Sequence, residues 1–247
     1  MNWRRIIIVA FDCLIGVYLL LAMTAFNEPD ERYDICKDVH ITVEQDFSEG
    51  FLSDQDVSSL LRHSGVRLIS QSMRMINTRQ VEEVLQGNDL IDKAECYKAN
   101  EGVVCVKVRQ RVPVIRVVSD NGDDYYVDNN GEVIQHNNYT CNLLVATGHI
   151  SKKYASKVLA PIATKIRMDK FWKNQIVQLN VLHDGSVEIV PRVGEHVAYV
   201  GYPTGIEKKL ERLRKFYRYG LNEAGWNKYS RISVEFDNQI ICKRIKK

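Results

Sequence analysis

The residues of this chain best equipped for chemistry are one conspicuous aspartate, six histidines and six cysteines. Asp128 stands in the stretch Tyr125–Ile134, beside Asn129, Asn130 and Gly131 and between apolar runs. A carboxylate next to two amides and a glycine is the material of a cation loop or of a general acid. A calcium loop takes ligands from its positions 1, 3, 5 and 12 around a glycine at position 6. With Gly131 at that glycine, Tyr126 falls at position 1 and Asn137 at position 12, and neither fits. Asp-Asn-Asn-Gly is instead hairpin chemistry, because Asn and Gly accept the positive φ of tight turns. Asp128 therefore reads as a turn-former.

The other candidates lead to the same place. The histidines at 40, 63, 136, 149, 183 and 196 form no His-Glu-x-x-His pair. Gly-x-Ser-x-Gly, a phosphate-binding loop and the dinucleotide glycine fingerprint are also missing from the sequence. The cysteines at 13, 36, 96, 105, 141 and 242 include no Cys-x-x-Cys, which argues against a zinc ribbon or a thioredoxin-type site. The expectation is a protein that is not an enzyme, with no catalytic residue, no cofactor and no metal. Net charge is only +3, so bulk charge gives a nucleic-acid role no support.

The elements that would position these residues begin with an apolar run from Ile6 to Phe26. It has the roughly 20 residues a bilayer core requires, is longer than a signal-peptide core and is not followed by a good Ala-x-Ala. It reads as an uncleaved membrane anchor. Arg4 and Arg5 precede it and Glu28, Asp30, Glu31 and Asp34 follow, so residues 1–5 are expected in the cytoplasm and the rest outside. Asp12 lies inside the run. Either it is tolerated near the interface or it meets another transmembrane helix.

From 35 to 113 the pattern is strand, helix, helix, strand, strand. Val39, Ile41 and Val43 alternate as in a half-buried strand. Ser53 followed by acidic residues starts a helix carrying Val57, Leu60 and Leu61, stopped by Gly65. Asn77-Thr78 starts another, with Val81, Val84 and Leu85 inward, ended by Gly87-Asn88. Strands follow at about 93–98 and 103–110, and Pro113 closes the unit. This order resembles a POTRA domain, a module that binds polypeptides at its sheet edges by strand addition. A two-residue loop at Asn100-Glu101 would set Cys96 opposite Cys105, with Cα atoms about 4.5 Å apart. Outside the cytoplasm a disulfide can form there; otherwise the two thiols pack as small hydrophobes.

Residues 114–247 read as a mostly antiparallel β domain with flanking helices. Strands are expected around Ile115–Val117, Tyr125–Val127, Val133–Gln135, Ile176–Leu182, Val187–Val190 and His196–Val200. Ser151 to about Phe171 is helical with an interruption near Pro161. Ile206, Leu210, Leu213, Tyr217 and Leu221 mark a second helix. Its opposite face carries Lys208, Lys209, Arg212, Arg214, Lys215 and Arg218, either a solvated face or one that meets anionic lipid or an acidic partner. The chain closes with a strand at 231–236, a turn at Asp237-Asn238, and a last strand at 239–245 that is expected at a sheet edge.

Taken together these segments resemble the FtsQ/DivIB family of bacterial cell-division proteins. Three stretches carry the resemblance: Ile76–Leu85 is similar to the second POTRA helix, Val108–Val114 to the strand that leads into the β domain, and Tyr126–Val133 to the family's Val-Asp-x-x-Gly hairpin. Ile232–Phe236 matches more weakly. The chain departs from the pattern at Gln110, where glutamate is usual, around Cys96, where an aromatic-proline pair is missing, and at Ser233 and Glu235. The resemblance implies a non-enzymatic divisome scaffold in the bacterial inner membrane at the septum, linking early and late division proteins. It implies FtsB-like and FtsL-like bitopic partners and other divisome components, with no nucleic acid. It also implies that Phe236, Gln239, Ile240, Ile241, Cys242, Lys243 and Arg244 form the partner-binding edge. The rival readings are a POTRA-bearing envelope assembly or transport factor, and a type II glycoprotein modified at the sequon Asn138-Tyr139-Thr140.

Overall fold

The computed structural model describes residues 3–25, 35–44, 52–135 and 143–245. Phe26, the acidic residues 28–34, His136, the sequon at 138–140 and Cys141 lie outside them, as does the side chain of Ile6.

Helix α1, Trp3–Ala25, is 23 residues long. Its apolar side chains are bare: Phe11, Leu14, Leu20 and Met23 are among the exposed large hydrophobics, and Asp12 is exposed with them. Among the described residues no helix is long and apolar enough to cross a membrane.

The chain divides into two compact units, with α1 grouped in the first. The first contains β1 (Asp38–Glu44), α2 (Asp54–His63), α3 (Thr78–Gln86), β2 (Ile91–Ala99) and β3 (Val103–Gln110), with the sheet ordered β1-β3-β2. The expected strand, helix, helix, strand, strand order is present. Ser53 caps α2 through a full capping box with Asp56, and the Ser53 hydroxyl beside it holds the Asp56 carboxyl below its ordinary range. Asn77 caps α3 by accepting from the Gln80 amide. Val57, Val81, Leu85, Val104, Val106 and Val108 then meet in the core at 0–1% exposure.

The β2–β3 turn is one residue longer than the sequence suggested. It runs Asn100–Gly102, with Glu101 at φ 65° and Gly102 at φ 79°. A Cβ on Gly102 would lie 2.5 Å from the Ile35 carbonyl oxygen, so only glycine fits. The extra residue shifts the register by one, and a one-residue slip moves side chains to the other face. Cys96 is thus buried while Cys105 sits among the outward-facing residues of β3. Both thiols are free in this structure.

The second unit is built on one nine-stranded sheet: β4 (Pro113–Ser119), β5 (Asp124–Asp128), β6 (Val133–Gln135), β7 (Leu144–Gly148), β8 (Ile176–Val181), β9 (Val187–Pro191), β10 (Val197–Gly201), β11 (Tyr229–Ser233) and β12 (Ile241–Arg244). The spatial order is β12-β11-β10-β9-β8-β7-β4-β5-β6. Five pairings are antiparallel, while β4–β7, β7–β8 and β10–β11 are parallel. Pro113 opens β4, the strand position where a missing N–H costs least.

Parallel neighbours need crossovers: β5 and β6 lie between β4 and β7 along the chain, and helical segments serve the other two pairs. The first, α4 (152–168), joins β7 to β8; the short α5 (Trp172–Gln175) follows it. Within α4 residues 155–159 form a π turn just before Pro161, which absorbs the loss of proline's amide. The second, α6 (206–224), joins β10 to β11 and also carries a π turn, at 216–221. One hydrophobic cluster spans the sheet and both helices, with Trp172 set edge-on to Tyr217 at 5.9 Å.

Candidate partner-binding edge

Asp128 is architecture. It is fully buried, and its Oδ1 accepts from the Asn130 and Glu132 amides at 2.9 and 2.7 Å. Arg111 donates to its Oδ2 at 3.2 Å. Gly131, at φ 85°, brings the turn against the Ser156 carbonyl, where a Cβ would stand 2.9 Å away.

The terminal strand offers more. β12 pairs antiparallel with β11 through Ser233–Ile241, Ile232–Cys242, Arg231–Lys243 and Tyr229–Arg244. It is the last strand of the sheet, so its other side has no neighbouring strand among the described residues. The Ile245 amide donates to Lys228, and the Lys243 carbonyl accepts from the Ser230 hydroxyl. Odd-numbered residues therefore turn their backbone polar groups toward β11. Because an antiparallel strand alternates, Cys242 and Arg244 turn theirs to the open side.

The side chains divide differently. Ile240 and Cys242 pack partly on the core. Burial pushes the Cys242 thiol up, so it remains a protonated packing group. Phe236 and Ile241 are half exposed, and Gln239, Lys243 and Arg244 are exposed. The edge thus combines open main-chain donors and acceptors, two bare apolar side chains and two adjacent cations.

Helix α6 holds this edge in place. Arg212 donates from Nη1 to the Val234 carbonyl at 2.7 Å and to the Phe236 carbonyl at 2.6 Å, and from Nη2 to Asp237. Lys209 donates to the carbonyls of Val200 at 3.0 Å and Tyr202 at 2.6 Å. Arg214 pairs with Asp169. Half of the basic face is therefore committed to internal acceptors, and only Lys208, Lys215 and Arg218 remain exposed. Between α6 and residues 238–240 runs an open groove of about 590 Å³, lined by Lys208, Arg212, Lys215, Asn238, Gln239 and Ile240 among others.

In the first unit the two sheet edges are unequal. On β2, Glu82 accepts the Cys96 amide at 2.7 Å and Gln86 donates to the Ala94 carbonyl at 3.3 Å. Side chains of α3 thus occupy that edge. The β1 side borders an open groove with α2, lined by Val39, His40, Ile41, Gln55, Ser59 and Arg62.

A three-stranded β-α-α-β-β unit followed by a large mixed sheet with an open terminal strand defines a POTRA-bearing protein with a dedicated second β domain. The family models make this specific. Residues 34–109 match the POTRA-like domain, and residues 112–243 match FtsQ/DivIB, C-terminal related. The second match covers more than half of the 247 residues. The chain belongs to the FtsQ/DivIB family. No curated protein matches it. The family is non-enzymatic, and membership implies a division-related membrane protein.

Proposed function

We propose that this chain is a bitopic divisome scaffold that captures FtsB-like and FtsL-like partners by strand addition at β12. The observation that carries the reading is the terminal strand bonded, among the described residues, to β11 alone, with Cys242 and Arg244 directing main-chain groups away from the sheet. Strand addition draws affinity from such groups and specificity from alternating side chains. Phe236, Gln239, Ile240, Ile241, Lys243 and Arg244 supply the side chains around them. The partner segment adds as a tenth strand and places its own apolar residues against Phe236 and Ile241.

The domain plan belongs to the same proposal. Residues 1–5 are a cytoplasmic tip, 6–26 a single transmembrane helix, 35–113 a POTRA-like recruitment module and 114–247 the partner-binding domain. The part of α1 from 6 to 25 spans about 30 Å, the thickness of a hydrocarbon core, and large apolar side chains described along it are exposed. With Arg4 and Arg5 in the first turn of α1, ahead of the apolar run, the bulk lies outside the cytoplasmic membrane as a type II protein. The test is co-purification of the full chain with FtsB-like and FtsL-like ectodomains. Replacing Ile240 and Cys242 together by proline is expected to abolish it. Full binding by that double variant refutes the edge mechanism.

A further inference from the structure

We infer that Asp120, His149 and His183 form a binding site for one divalent transition-metal ion, with Zn²⁺ the best fit. The three lie far apart in sequence and belong to no spacing motif. They meet because β4, β7 and β8 are parallel neighbours that end on one level. Asp120 directly follows β4, His149 directly follows β7, and His183 comes two residues after β8. Their candidate ligand atoms lie within 4.8 Å of one another. The His149 Nδ1 is 3.2 Å from the Asp120 carboxylate, and the His149 and His183 rings lie 5.0 Å apart, tilted by 43°.

The backbone beneath is fixed tightly. Gly148 stands at φ 101°, and a Cβ there would lie 2.1 Å from the Val181 carbonyl oxygen, so β7 and β8 come together as only glycine permits. The Asp120 amide donates to Gly148 and the His149 amide to Val181. Asp184 fixes the His183 hairpin by accepting from the Ser186 amide and hydroxyl at 2.9 and 2.6 Å. An Asp120–His149 ion pair accounts for two of the three groups and leaves the second imidazole unexplained. A shared cation takes a lone pair from each.

Two imidazoles and one carboxylate suit Zn²⁺ and its first-row neighbours better than calcium or magnesium. Ligand atoms at about 2.0–2.1 Å from zinc stand about 3.4 Å apart in a tetrahedron. The three side chains are exposed, and their ligand atoms, now within 4.8 Å of one another, would draw together on the ion. Three protein ligands leave a fourth position for water or for a group from a partner.

The test uses the untagged full-length chain in detergent, titrated with Zn²⁺ against a chromophoric chelator and separately with Co²⁺. One equivalent is expected to bind, with a ligand-field spectrum lacking a thiolate charge-transfer band, and Zn²⁺ is expected to raise Tm. His149→Ala and His183→Ala, both at exposed positions, are expected to leave the metal-free Tm unchanged. Each should weaken Zn²⁺ binding at least 10-fold and remove the Tm increase. Unaltered affinity in both variants, a thiolate band with Co²⁺, or no binding at millimolar Zn²⁺ overturns the assignment.

Discussion

Proline at Cys242 separates the two sides of β12. The Lys243 carbonyl and the Ile245 amide are engaged with β11, so the 242 amide faces away from the sheet. Cys242→Pro therefore removes no ladder donor from the fold and is tolerable on an edge strand. It does delete a donor that an added strand would use. A partner carbonyl left unsatisfied costs about 1–3 kcal/mol, which corresponds to roughly 5- to 150-fold weaker binding. Lys243→Pro is the opposite case, because it removes a bond to β11. Affinity for the FtsB-like ectodomain can be measured by titration calorimetry, with Tm recorded for each variant. Cys242→Pro is expected to lose affinity at nearly wild-type Tm, and Lys243→Pro to lose both. Wild-type affinity in Cys242→Pro, with the fold intact, refutes the reasoning.

Other substitutions probe what supports the edge. Arg212→Met keeps the aliphatic stem but loses the donors to Val234 and Phe236; it should cost about 2–4 kcal/mol and speed amide exchange first across 234–245. Asp128→Ala leaves two turn amides without their acceptor and Arg111 with the more distant Asp92; the expected cost is about 2–5 kcal/mol, read as a Tm drop of roughly 4–20 °C. His196 is buried with its Nε2 2.7 Å from the Tyr217 hydroxyl, and burial pulls its pKa down. The folded state then keeps it neutral while the unfolded chain takes up a proton below about pH 6.5, so its contribution is complete above that pH and is lost as pH falls toward the folded pKa. Tm should decline between pH 7.5 and 5.5, and His196→Leu should flatten that decline.

The sequence was most legible where the signal is local. Ser53 with Asp56 and Asn77 with Thr78 announce helix starts through their own side chains, and the alternating valines of β3 announce a buried face. It was least legible where partners are distant or belong to the main chain. The basic face of α6 looked like solvated charge because Lys209 and Arg212 bind carbonyl oxygens, which no residue letter records. The alignment of Cys96 with Cys105 depends on one residue of turn length, which the letters Asn100–Gly102 do not fix. Strand β7 carries little signal because Leu144–Gly148 is short and ends in glycine, yet it joins β4 to β8 inside the sheet. The three ligand-type residues beyond those strands were invisible for the same reason: only the crossover topology gathers them.

The paired cations on β12 also bear on self-association. An exposed edge can zip against its own copy, and two β12 strands meeting antiparallel about residue 243 would set Lys243 against Lys243. Like charges directly opposite are destabilising, so this edge repels its twin even where copies are crowded together. On the proposed strand addition, the sheet would take one foreign strand of different charge rather than polymerise.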